Sequence, residues 1–85
     1  NIPMLNLYSK NGFLKNSTTL IGVTDFIDIN KKYILYNIGR DIYFGKTNSK
    51  VMSKYTAAMD IKNLIIVSDT TFVVIYSNSL EVVTV

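Results

Sequence analysis

The chain has no cysteine, no histidine and no tryptophan, and it carries a single proline and four glycines among 85 residues. Without cysteine there is no disulfide framework, no thiolate zinc site and no thiol nucleophile, and no redox compartment is implied. Without histidine the usual general base near neutral pH is missing, and so are the commonest metal ligand and the centre of a Ser/His/Asp triad. The four glycines, Gly12, Gly22, Gly39 and Gly45, are too far apart to form a P-loop or a dinucleotide fingerprint. They read as turn and bulge residues. No apolar run reaches the length of a membrane-spanning helix, and nothing at the N-terminus resembles a signal peptide, so no membrane span is expected.

What is present is apolar and β-forming. Hydrophobic residues make up 48% of the chain and charged ones 18%, a balance that belongs to folded domains and not to disordered segments. A chain this short buries only about 60–65% of the surface its unfolded form exposes, so most large apolar residues go to the core and little is left for a deep pocket. Nine Lys+Arg against six Asp+Glu leave a net charge of +3. That excess favours anionic partners but is far from the dense basic stripe of a dedicated nucleic-acid binder.

Along the chain, Ile2 to Tyr8 with its proline suits an edge strand or irregular arm, and Ser9-Lys10-Asn11-Gly12 reads as a turn. Thr18 to Ile29 is apolar-rich and broken by Gly22, which predicts two short strands with a bend. Tyr33 to Ile38 and Arg40 to Gly45 follow as strands, with Lys46-Thr47-Asn48-Ser49 as a polar turn. Lys50 to Met59 shows a period of two, with a short helix over Val51 to Met59 as the rival reading. Leu64 to Val67 looks like a strand buried on both faces, and Phe72 to Tyr76 is the plainest strand in the chain. The expected fold is all-β: one domain over residues 1–85, a small β-sandwich, barrel or short β-helix of about six to eight strands. Asn1 in place of methionine and the strand-like or helix-starting end Leu80 to Val85 read as a fragment or processed part of a longer chain.

The two halves also match each other. Val23 to Ile29, a turn, then Tyr33 to Tyr36 lies over Ile61 to Val67, a turn, then Phe72 to Ile75. Each copy is a strand, a short polar turn and a strand that opens with an aromatic. Such self-similarity predicts stacked or paired β units, neither able to bury its apolar face alone.

Ala57 to Ile75, which includes Asp60-Ile61-Lys62-Asn63-Leu64, an apolar run and Ser68-Asp69-Thr70-Thr71, resembles a segment of the bacterial mannose-1-phosphate guanylyltransferases. In that family the segment runs Gly-Val-Glu-Asp-Leu, an apolar run, Asp-Thr-Pro-Asp, then an apolar strand. Here Asp60 replaces the glycine and the proline is missing. The resemblance covers roughly a quarter of the chain. It implies a C-terminal, left-handed β-helix-like domain that supports packing or assembly, and it carries over no catalytic residue.

The acids Asp25, Asp28, Asp41, Asp60, Asp69 and Glu81 are scattered, so no catalytic residue, metal site or cofactor is expected, and they read as solvated turn acids. Lys54 beside Ser53 and Lys50 beside Ser49 read as surface neighbours and not as dyads. The one constellation with binding chemistry is Lys31, Lys32, Tyr33, Tyr36, Arg40, Tyr43, Phe44 and Lys46, because cations interleaved with aromatics on a sheet suit single-stranded nucleic acid or glycan. The plainer reading is strand aromatics and edge lysines. Three roles follow: a non-catalytic module for assembly or scaffolding, with self-association or a neighbouring domain or chain as partner; a small domain that binds nucleic acid or glycan; and a surface or coat subunit that oligomerises through Leu64 to Val67 and Phe72 to Tyr76.

Overall fold

The computed structural model describes residues 3–47, 49 and 51–85. Nine strands are described and no helix: β1 (Met4–Tyr8), β2 (Leu14–Thr19), β3 (Ile27–Ile29), β4 (Tyr33–Ile38), β5 (Asp41–Lys46), β6 (Ser53–Thr56), β7 (Asn63–Ile66), β8 (Thr71–Ile75) and β9 (Leu80–Thr84). The all-β expectation is met with one strand more than foreseen. Val51 to Met59 contains a strand and no helix, and Leu80 onward continues as β9. Ile2, Asn48 and Lys50, which the expected arm, turn and strand included, lie outside the described residues.

The strands form three antiparallel sheets, each in sequence order: the hairpin β1-β2, the meander β3-β4-β5-β6 and the meander β7-β8-β9. They stack face to face. Leu35, Ile42 and Phe44 of the middle sheet pack against Leu64, Phe72, Val74 and Tyr76 of the third in one buried cluster. On the opposite side, Ile34 and Tyr36 pack with Leu20, Leu5, Ile29, Ile38 and Tyr43 to join the middle sheet to the hairpin. Strand β4 is therefore buried on both faces, with Ile34, Leu35, Tyr36 and Asn37 all inaccessible. Leu64 to Val67 was expected to have that property, but Ile65 and Val67 are exposed, because the third sheet has a neighbour on one side only.

The sheets repeat one another bond for bond. Asn30 N–H donates to the Tyr33 carbonyl at 3.0 Å, and 38 residues on Ser68 N–H donates to the Thr71 carbonyl at 3.1 Å. Thr47 N–H to the Lys32 carbonyl is matched at the same offset by Val85 N–H to the Thr70 carbonyl. Within the turns, Asn30 Oδ1 accepts from Lys32 N–H, and Ser68 Oγ likewise accepts from Thr70 N–H. The hairpin repeats the second half of the middle meander 37 residues earlier: Met4 pairs with Thr19 as Asp41 pairs with Thr56, and Leu20 N–H donates to Pro3 as Ala57 N–H donates to Arg40. One unit is thus a four-stranded meander. The middle sheet is complete, the hairpin holds the third and fourth strands of a unit, and the last sheet holds the first three.

The predicted pair of strands over Thr18 to Ile29 reduces to the end of β2 and the short β3, with a connector between them. The connector packs closely: a Cβ on Gly22 would lie 3.0 Å from Ile38 Cδ1. The acids near it are structural and not merely solvated. Asp25 accepts from Gly39 N–H at 3.1 Å and from the buried Asn37 amide, whose own oxygen accepts from Phe26 N–H. Asp28 Oδ2 accepts from Ile66 N–H at 2.7 Å and fastens the middle sheet to β7.

Candidate functional site: a lysine cleft at one end of the stack

Antiparallel alternation sends the β3-β4 turn, the end of β5, the β7-β8 turn and the β1-β2 turn to the same end of the stack. There the polar turn residues meet. Lys31, Lys32, Tyr33, Lys46, Thr47 and Asp69 line a cleft of about 380 Å³. A neighbouring hollow of about 700 Å³ shares Lys31 and Thr47 and adds Leu7, Tyr8, Lys15, Ile29 and Asn30. Together they place four ammonium groups, from Lys15, Lys31, Lys32 and Lys46, near one carboxylate, Asp69.

The other acids are engaged elsewhere. Asp60 pairs with Arg40 at 3.1 Å and Asp41 with Lys54 at 3.7 Å, while Asp25 and Asp28 bond to backbone. Glu81 accepts from the hydroxyls of Tyr55 at 2.6 Å and Tyr76 at 2.5 Å. Those two bonds hold the Glu81 carboxyl below its ordinary range, against a smaller opposing effect of burial. Burial and the Glu81 contact together push the Tyr76 hydroxyl up to about 12, and the Tyr55 hydroxyl rises chiefly through its bond to Glu81. Among the described residues none of the four cleft lysines is ion-paired, so the positive excess of the chain gathers at one end of the strands.

Of the eight residues singled out in the sequence, Lys31, Lys32, Tyr33 and Lys46 come together here. Tyr36 and Phe44 do not. Both are buried, in the first and second inter-sheet clusters, because β4 has no solvent face and Phe44 points inward from β5. Tyr43 stacks on Tyr36 at 5.4 Å, half-buried under the hairpin, and Arg40 sits in the β4-β5 turn at the opposite end. Sequence reasoning missed Tyr8 and Lys15. Their contribution arises from stacking of the hairpin on the middle sheet, which local pattern does not show.

Among the described residues no three acidic side chains converge into a metal-binding group. No described helix is long and apolar enough to cross a membrane. No family model, curated protein or solved structure matches the chain.

Proposed function

We propose that the chain is a non-catalytic assembly module, a run of consecutive meander units stacked like the blades of a β-propeller. The observation that carries this reading is the repeat of hydrogen bonds at offsets of 37 and 38 residues, together with two equivalent sheet-on-sheet interfaces. Four strands per unit and a period near 40 residues are the signature of blade-type repeats, whose units bury their faces only against neighbours. The alternative role as the β domain of a sugar-nucleotide-forming enzyme rests on the resemblance over Ala57 to Ile75. A left-handed β-helix would stack parallel coils, whereas every described strand pairing is antiparallel.

The assembly reading is tested by sedimentation velocity from micromolar to sub-millimolar concentration. Concentration-dependent association is expected, and a strictly monomeric chain refutes it.

A second reading is favoured by the convergence of Lys15, Lys31, Lys32 and Lys46: the cleft holds the phosphates of a short single strand of nucleic acid, with the exposed Tyr8 ring available for a base. Binding of a fluorescent oligothymidine should weaken with salt by about 0.7 in log-log slope per phosphate neutralised. Replacing Lys31, Lys32 and Lys46 by alanine should remove most of that slope. No binding at low salt sinks this reading and leaves the first untouched.

A further inference from the structure

The outer face of the third sheet is apolar and uncovered: Ile65, Leu80 and Val82 are exposed, and Val73 and Ile75 are partly so. The register places them on one surface, since Ile65 pairs with Val73 and Val73 with Val82, while Ile75 pairs with Leu80. Scattered exposed aliphatics are ordinary on a monomer, but a contiguous sheet face of them marks an interface.

The repeat says which kind of surface this is. In both internal interfaces, third-strand residues of one unit face second-strand residues of the next. Leu5 meets Ile34 and Tyr36 in the first, and Ile42 and Phe44 meet Phe72 and Val74 in the second. Leu80 and Val82 stand 38 positions after Ile42 and Phe44, and Val73 stands 38 after Leu35. The outer face of β7-β9 is therefore a leading face, built to receive the trailing face of another unit. The chain itself exposes one trailing face, on the hairpin, where Met4, Asn6 and Tyr8 alternate with the inward Leu5 and Leu7. Neither surface places a charged residue among these positions, so the two meet without burying an unpaired charge.

Resting on the assembly reading, we propose that a second copy of this chain docks its β1-β2 hairpin on the outer face of β7-β9, head to tail, continuing the stack of the two internal interfaces. Such a contact is heterologous: each copy uses a different face, so association propagates into a ring or a filament instead of stopping at a two-fold dimer.

The test is complementation between two variants at exposed positions, Val82→Lys on the leading face and Met4→Lys on the trailing face, each checked for native circular dichroism, with Leu80→Lys as a substitute should Val82→Lys lose structure. Each variant alone should be monomeric at concentrations where the wild type forms species larger than a dimer. Mixed in equal amounts, they should form a 1:1 dimer through the one intact face on each, and that dimer cannot grow. Two outcomes overturn the proposal while leaving assembly standing: Met4→Lys alone still dimerising, which means that β7-β9 packs on its own copy, and a mixture that stays monomeric beside an associating wild type. A monomeric wild type removes this proposal and the assembly reading together.

Discussion

Phe72→Ala tests whether the stack behaves as linked units or as one indivisible core. Phe72 is 1% exposed and lies at the centre of the second inter-sheet interface, with its ring centroid 5.4 Å from Phe44 and 6.3 Å from Tyr55. Truncation removes the aromatic buried there and leaves a cavity, a change that costs about 3–5 kcal/mol in a well-packed site. A domain of this length has a total stability of only about 4–13 kcal/mol, so the loss takes up much of the whole. If units couple only through nearest-neighbour interfaces, the loss falls on β7-β9 and spares the contact between the hairpin and the middle sheet. Native-state hydrogen exchange reads this amide by amide. Exchange should accelerate by about two to four decades in β7, β8 and β9, while β4-β5 amides change far less, since each 1.4 kcal/mol is a factor of ten. Ile34→Ala, in the first interface, should give the converse pattern centred on β1-β2. Equal acceleration across all three sheets in both variants would refute the unit-by-unit reasoning. Should Phe72→Ala fail to fold, Phe72→Leu keeps most of the apolar volume and allows the same comparison.

Glu81 predicts an acid limb in stability. Its folded carboxyl titrates below the unfolded one, so the contribution is fully present above the unfolded value, about 4.3, and is lost as pH falls through the depressed folded value. Thermal melts should show Tm declining across that window, with the decline shallower in Glu81→Gln. The Tyr76 hydroxyl is shifted the other way, to about 12, so a second loss should begin as pH rises past the unfolded tyrosine value near 10 and be complete above 12. Tyr76→Phe should remove this alkaline loss. Asn37→Ala leaves Phe26 N–H and the Gly39 carbonyl without the partners they have now, and should cost about 1–3 kcal/mol for each group left unsatisfied, read from urea unfolding. Gly45→Ala should destabilise because its Cβ would stand 2.6 Å from Met52 Sδ and 2.9 Å from the Val51 carbonyl oxygen, and differential scanning calorimetry would show a lower Tm.

The repeat was half legible in the sequence. Val23 to Tyr36 and Ile61 to Ile75 match because their strands surround similar polar turns, whose hydrogen bonds the structure shows to be equivalent. The hairpin escaped notice: against Asp41-Ile42-Tyr43-Phe44, the segment Met4-Leu5-Asn6-Leu7 keeps only the inward aliphatic or aromatic positions, and two such positions recur in any strand. Lys31, Lys32 and Lys46 were legible as a site because turn residues at one end of an antiparallel sheet must lie near one another. Tyr36 and Phe44 were misleading for a physical reason. Alternation distinguishes a buried face from a wet one, and it says nothing where a strand such as β4 is covered on both sides by sheets whose order is still unknown.

Asp28 fastens two sheets through the main chain of Ile66 and not through its side chain. The fastening is thus blind to sequence on one side. Residue 66 can drift among many side chains without releasing the clamp, whereas position 28 is confined to a short acceptor of the right length. Over generations the cost of keeping adjacent units together falls on one member of the pair, and the other is left open to change its surface for new partners.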